Sequence, residues 1–210
     1  MNKEFNHIKL NEKKWDKWSE SLDGKGWRNE FLRKAQEGVV SLLEIKNDIH
    51  FLDVGCGTGW AIGKAAERFN FSGKFFGVDL STKMIERAKE NFQSMENFYF
   101  IKANAESIPL EDGFFDVIIS TNSFHHYLNP GKALNEFYRL LKAGGKIYIL
   151  DPTADSWLIK FLDKIIKMFE PEHVKMYSSK EFKDMFINAG FKYLKSVEVQ
   201  TRQKIHIAGK

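Results

Sequence analysis

The sequence predicts an α/β domain: a doubly wound, seven-stranded, mostly parallel sheet with one antiparallel C-terminal strand and a helical N-terminal cap. Three observations predict it. From Ile49 onward, short apolar runs alternate with segments of helical period, the pattern of strands joined by right-handed helical crossovers. A glycine-rich turn, Gly55-Cys56-Gly57-Thr58-Gly59, stands between the first such run and the first such helix. The last two runs, Phe191–Val199 and Lys204–Ala208, are too close together for a crossover, so they pair antiparallel and one strand is reversed.

Each element has its own warrant. Residues 1–48 are polar and helix-prone, and Trp27, Phe31, Ala35, Val39 and Leu42 recur every three or four residues, as on one face of a helix. Strands are expected at Ile49–Val54, Lys74–Asp79, Phe98–Lys102, Phe115–Ser120 and Lys146–Asp151, and helices near Trp60–Phe69, Ser81–Phe92 and Pro130–Lys142. The last helix has Pro130 in its first turn and Gly144-Gly145 just past its end, which are start and stop signals. Trp157, Phe161, Ile165 and Phe169 mark another helix. Ser178-Ser179-Lys180-Glu181 then offers a capping box, and Gly190 stops the helix that follows. The chain reads as one domain over residues 1–210: a cap (1–48), a core (49–151), an insertion (152–177) and a C-terminal helix with a strand hairpin (178–210).

Composition narrows the partners. With Lys+Arg 32 and Asp+Glu 28 the net charge is +4, and only six of the basic residues are Arg, the side chain that phosphate-reading surfaces favour. A solvated Lys-rich surface is therefore expected rather than a nucleic-acid footprint. No apolar run reaches the ~18 residues of a membrane span, and the N-terminus has no signal-peptide core, so a cytoplasmic protein without stable membrane insertion is expected. The single Cys56 excludes an internal disulfide or a multi-cysteine metal site.

The chemistry concentrates in Phe51-Leu52-Asp53-Val54-Gly55-Cys56-Gly57-Thr58-Gly59. Backbone amides at such a turn, and at the helix start behind it, bind negative groups. The dinucleotide pattern G-x-G-x-x-G fails in either frame, because Trp60 or Ile62 stands at the third glycine. Asp53 would repel a pyrophosphate and attract an ammonium group. A ligand with a carboxylate for the amides and an ammonium for Asp53 is an amino acid, and a nucleoside-linked amino acid is S-adenosylmethionine. Twenty residues after Gly59 the next strand ends in Asp79, placed to accept two hydrogen bonds from a ribose diol.

On these residues, 49–151 resemble a class I S-adenosylmethionine-dependent methyltransferase with a Rossmann-like core. The nearest group is that of the ubiquinone- and menaquinone-biosynthesis methyltransferases and their small-molecule relatives. The resemblance implies cofactor contacts at Asp53, Gly55, Cys56, Gly57, Thr58 and Gly59 in the loop. It implies ribose and adenine contacts at Asp79 and Leu80, and adenine-edge contacts at Asn104 and Ala105, where the family usually has Asp-Ala. Ser120 closes the fourth strand on the same side. The implied cofactor is S-adenosyl-L-methionine, with S-adenosyl-L-homocysteine as product and no metal.

Methyl transfer is an in-line displacement that needs alignment and exclusion of water, and a base only if the acceptor must lose a proton. The loop Ser120-Thr121-Asn122-Ser123-Phe124-His125-His126-Tyr127 follows the fourth strand, where ligands sit in such sheets. His125 is the candidate substrate-side base or hydrogen bonder, and His126 is expected to pack or cap. No third ligand or carboxylate lies near the pair in sequence, so no metal is expected. His173 and Tyr177 are further pocket candidates. The stripe Trp157, Phe161, Ile165, Phe169 could pack on the sheet, cover an apolar acceptor as a lid, or lie on a membrane with Lys160, Lys164 and Lys167 outward.

The leading expectation is transfer to a small apolar or aromatic molecule. Alternatives are methylation of RNA or protein, weakened by Ser120-Thr121-Asn122-Ser123 where base-amine methylases often carry Asn-Pro-Pro-Tyr, and a non-catalytic S-adenosylmethionine-binding regulatory module. Arsenite methylation would need several cysteines.

Overall fold

The computed structural model describes residues 3–22, 24, 26–44, 46–170 and 173–210. Its strands are β1 (Ile49–Val54), β2 (Gly73–Asp79), β3 (Phe98–Lys102), β4 (Phe115–Thr121), β5 (Leu141–Pro152), β6 (Lys192–Gln200) and β7 (Gln203–Gly209). They form one sheet in the order β3-β2-β1-β4-β5-β7-β6. Strands β1 to β5 run parallel, and β7 pairs antiparallel with both β5 and β6. The order reverses between β1 and β4, and it is there that a doubly wound sheet opens a crevice at its strand ends.

Helices cover both faces because the buried strands are apolar on both sides. Phe51, Phe75, Ile119 and Tyr148 face α2 (Trp27–Leu42), α3 (Trp60–Arg68) and α4 (Thr82–Asn91). Leu52, Val54, Ile118 and Ile149 face α5 (Pro130–Leu140) and α7 (Ser179–Asn188). Gly77 sits under a crowded point of the first face, since a Cβ there would meet Phe100 at 2.6 Å and Ile62 at 2.8 Å. The expected capping box on α7 is present, with Ser178 and Glu181 each bonding the other's backbone amide.

Two expectations shift. The helix expected to reach Lys142 ends at Leu140, and β5 begins at once, at Leu141. Gly144 and Gly145 lie inside the strand, where pairing with β4 jumps from Phe115↔Leu141 to Val117↔Lys146. Gly144 has φ +78°, and a Cβ on Gly145 would strike Leu141 at 2.7 Å. The glycines therefore permit a tight irregularity in the strand rather than a helix stop. In α2 only the second half behaves as the stripe suggests: Ala35, Val39 and Val40 are buried, while Trp27 is 83% exposed.

The N-terminal helix α1 (Lys3–Leu22) crosses the strand ends and packs on α4. Its Asp16 carboxylate accepts from the Ser81 hydroxyl and the Lys83 amide at the start of α4. Helix α6 (Trp157–Phe169) turns its apolar stripe outward: Trp157 and Phe169 are each 79% exposed. Among the described residues no helix is long and apolar enough to cross a membrane.

At the far end of the sheet, Asp116 joins three strands. It accepts from the His50 amide of β1 at 3.0 Å, from Lys142 of β5 at 2.8 Å, and from Lys46. Burial pushes its carboxyl up, but these donors outweigh burial and bring it down to about 2. A carboxylate whose folded pKa is depressed stabilises above its unfolded pKa near 4, and that contribution disappears as pH falls toward 2. Asp116→Asn should therefore cost about 1–3 kcal/mol at pH 7. In urea melts, the gap from the parent chain should close between about pH 4 and pH 2.

Candidate active site

The turn after β1 is held by β2. The amides of Gly55 and Cys56 donate to the Val78 carbonyl at 2.8 and 3.1 Å, and the Gly57 amide donates to Asp79 Oδ2 at 2.9 Å. The other Asp79 oxygen takes the Ser81 amide at 2.8 Å. Each loop glycine has its own reason to lack a side chain. A Cβ on Gly55 would strike Ser123 Oγ at 2.2 Å, and one on Gly59 would strike Phe92 at 2.7 Å. On Gly57, at φ +54°, it would project into open space. Gly57 alone is bare toward a ligand; the other two are bare toward the protein.

That open space is a single large cavity over the β1/β4 crevice, about 1270 Å³ counting its mouth. Its floor is Val54–Thr58, Val78–Leu80 and Ala103–Glu106, and its far wall is Thr121–Ser123 and His126–Leu128. Of the residues expected to contact cofactor, Gly55, Cys56, Gly57, Thr58, Asp79, Leu80, Asn104 and Ala105 line it. Asp53, Gly59 and Ser120 do not. Gly59 packs against Phe92 and Phe100, and the Ser120 hydroxyl lies 3.1 Å from the Tyr127 hydroxyl.

Asp53 is fully buried with neither carboxylate oxygen hydrogen-bonded. Burial, reinforced by the negative charge of Asp79, pushes its carboxyl well above the usual range. Burial also raises Asp79, against the Ser81 and Gly57 amides that lower it. A fully buried acid without a partner beneath the cavity and a half-buried acid on its floor call for a cationic or hydrogen-donating ligand. S-adenosylmethionine fits these residues: it offers an ammonium and a ribose diol to the acids, and bulk for the open space above Gly57.

His125 does not line the cavity. Its Nδ1 donates to the fully buried Asp151 at 2.8 Å, and burial, then the neighbouring His173 and Lys14, push its imidazole down to about 3. His126, expected to pack, is on the wall. Sequence spacing also missed a third imidazole: His173 joins the pair, with one ring nitrogen of each within 4.8 Å of the others. His173 Nε2 donates to Asp163 Oδ1 at 2.7 Å, so two of the three rings are already held by carboxylates. Of the three, His126 alone lines the cavity.

The cavity roof comes from the N-terminal cap: His7, Asn11 and Trp15 of α1, and Leu32, Arg33 and Gln36 of α2. Sequence reasoning put a cover in this region without naming residues, and the helical period of α1 was the available signal. No residue of 152–177, expected as a lid, lines the cavity, because the α6 stripe faces away from it. Asn122 was also missed. It stands at φ +52° just after β4, with its Oδ1 bonded by Gln203 and its buried amide nitrogen unpartnered. An Asn directly after a strand is the residue that tolerates this conformation.

The family described as "Methyltransferase domain" matches residues 45–190. The chain belongs to it. A malonyl-[acyl-carrier protein] O-methyltransferase from Marinomonas sp. is 30% identical over 170 residues, covering 80% of this chain and 61% of that protein. A demethylmenaquinone methyltransferase from Oceanobacillus iheyensis is 29% identical over 192 residues, covering 80% of this chain and 76% of that protein. The crystal structure of the YcgJ protein from Bacillus subtilis superposes with a TM-score of 0.69 at 27% identity, covering 78% of this chain and 70% of that one. The chain spans about three fifths of the length of the first of these relatives.

With His125 pushed down to about 3 and buried, its imidazole is neutral across the physiological range. Heteronuclear NMR should show that the His125 ring, assigned through loss in His125→Gln, does not shift between pH 5 and pH 8, and neither should the ring of His206, which burial pushes down to about 4. A midpoint near 6.5 for the His125 ring would contradict the burial that lowers it.

Proposed function

We propose that this chain transfers a methyl group from S-adenosylmethionine to a small, apolar or aromatic molecule, in the cytoplasm. The observation that carries the reading is one cavity with two unlike ends. The glycine loop and Asp79 form one end, and the roof of α1 and α2, where Ile8, Trp15 and Leu32 stand among polar side chains, forms the other. Such a cavity can hold two ligands end to end, which an in-line displacement requires.

S-adenosylmethionine supplies an electrophilic methyl on a sulfonium. The chain's part is to bind, orient and exclude water. In this reading Asp79 holds the ribose, Leu80 packs on the base, and Asn104 with Ala105 reads its edge. Gly55–Thr58 cradle the amino-acid end, and Asp53 acts from below, through water, since it does not line the cavity. Trp15, Ile8 and Leu32 desolvate the acceptor. Asn11 Oδ1 and Asn122 Nδ2, both buried without a partner on cavity-lining residues, offer it one acceptor and one donor. These two orphaned groups favour an acceptor with a polar function on an apolar frame. The name of one relative agrees, since demethylmenaquinone joins a polar reacting end to an apolar body.

Alignment is the main source of rate in this reading, worth up to roughly 10 kcal/mol. His125 acts as a positioning group: its bond to Asp151 fixes the loop that carries His126. A base near pKa 3 is a poor proton acceptor at neutral pH.

The test begins with the donor. Asp79→Asn should weaken S-adenosylmethionine binding by about 1–3 kcal/mol in calorimetry, since the charge that strengthens two ribose bonds is lost. Gly57→Ala should weaken binding far more than it lowers the thermal midpoint, and NAD should give no heat. Comparable NAD affinity would overturn the donor assignment.

The acceptor end is tested separately. Trp15→Ala and Leu32→Ala should raise KM for a methyl acceptor found with labelled donor in a metabolite extract, while leaving donor affinity within about twofold. His125→Gln should keep kcat within about tenfold and keep any pH limb; a 10²–10⁴-fold loss with the limb removed would make His125 the base after all.

A further inference from the structure

The most anomalous surface is α6. Ordinary surface helices turn their apolar stripe to the core. Here the core side is Ile159, with Leu162, Asp163 and Ile166 half-buried at helical spacing, while Trp157, Leu158, Phe161, Met168 and Phe169 are all exposed, by 45% to 79%. Five large apolar side chains on thirteen residues make a contiguous patch of the kind that marks an interaction surface.

The flank of the patch says what covers it. Lys160, Lys164 and Lys167 are exposed and lie at i, i+4 and i+7, one strip beside the apolar one. The helix has one acid, Asp163, and it faces inward, accepting from His173 Nε2 and from the Met176 amide. Glu170, at the helix end, is paired with Lys14, and Asp155, before its start, with Lys204. The outer face therefore combines aromatic bulk with uncompensated positive charge. Two-fold pairing with a second copy would bring the lysine strips of both chains to one interface, a like-charge cost. An anionic lipid leaflet meets both features at once: it takes aromatic side chains at the headgroup level and attracts the lysines.

We propose that α6 is a monotopic membrane-surface anchor, lying in the headgroup layer of an anionic bilayer with Trp157, Phe161, Met168 and Phe169 inserted and Lys160, Lys164 and Lys167 at the phosphates. The helix is tied to the catalytic region. The amides of Val174 and Lys175, just beyond it, donate to the His125 carbonyl at 3.0 and 3.3 Å, one residue from the cavity wall. Its own end meets α1 through the Lys14–Glu170 pair at 2.7 Å. An anchor so placed holds the roof of an apolar-acceptor cavity near the phase in which apolar molecules collect. The lipid contact itself does not depend on what the cavity methylates.

The test is flotation of the full chain with vesicles of phosphatidylcholine mixed with phosphatidylglycerol, and with phosphatidylcholine alone. Binding to the mixed vesicles, weakened by added salt, is expected. Replacing the three lysines by Gln should lower partitioning by roughly 100-fold, about fivefold for each cation. Phe161→Ser with Phe169→Ser should abolish it, and a blue shift of indole fluorescence on lipid should diminish in Trp157→Phe. No retention on mixed vesicles, or retention unchanged in both variants, overturns the proposal. A dimer in sedimentation that Phe161→Ser disperses, without lipid binding, assigns the face to a second copy and overturns it too. S-adenosylmethionine titration of the same variants, expected to match the parent chain, shows that they are folded and keeps this outcome separate from the donor reading.

Discussion

A carboxylate at the end of β2 and the amide of a glycine beyond β1 are joined by one hydrogen bond, Gly57 N to Asp79 Oδ2 at 2.9 Å, and much of the site follows from it. The two strands are parallel neighbours, so their C-terminal ends arrive at the same edge of the sheet. Val78 O takes the two amides before Gly57, and the chain must then turn sharply to start α3. That turn uses positive φ at Gly55, Gly57 and Gly59, which is why the segment cannot tolerate ordinary side chains there. The same carboxylate lines the cavity. Structure and binding thus use the same carboxylate, and the loop and the ribose position cannot be separated.

The electrostatics at this edge are unbalanced in the protein alone. Asp53 and Asp79 are both raised by burial, and the charge of Asp79 acts on Asp53 and on the Cys56 thiol as well. Arg33 belongs to the roof, where it lies 5.8 Å from the Trp60 ring. A site arranged in this way gains most from a ligand that brings its own positive charge into a dry, acidic pocket. It also discriminates, because an anionic pyrophosphate would meet the same acids as a repulsion. The sequence argument against dinucleotides, from the spacing of glycines, the bulk of Trp60 and the charge of Asp53, agrees with this placement.

What was legible in the sequence divides along a physical line. Strand and helix positions in residues 49–151 depend on local period and turn chemistry, and β1 and β3 match their expected bounds residue for residue. The glycine loop, Asp79 and the Asn104-Ala105 step were legible because loops at the strand ends of a parallel sheet share one edge. The remainder depends on contacts between distant segments. His7 Nε2 donates to the His126 carbonyl across 119 positions, and Gln36 reaches Thr121 across 85. No periodicity encodes such pairings. The approach of His173 to the His125-His126 pair is of this kind, as is the roof of α1 and α2. A helical stripe reveals that a helix has an apolar face, but not what that face meets. In α2 the stripe is half used, and in α6 it is turned outward.

The position of the two covers then matters for turnover. Transfer in a closed cavity requires that the acceptor enter and leave past something that moves. The roof of α1 packs on α4 and is tied to the rest of the chain by side-chain bonds along its length: His7 to the His126 carbonyl, Glu12 to Lys102, Lys14 to Glu170, and Asp16 to the start of α4. Between these anchors it presents Asn11 and Trp15 to the cavity, with the Trp15 ring set edge-on against His126 at 5.2 Å. Polar anchors of this sort exchange readily with water, unlike the interdigitated apolar faces of the sheet. The cap is therefore the element that can open at modest cost while the cofactor floor stays fixed. Its bond to the His126 carbonyl couples that opening to the loop after β4. The floor, closed by backbone hydrogen bonds from two strands, is built for permanence; the roof, hung on a few side chains, is built for traffic.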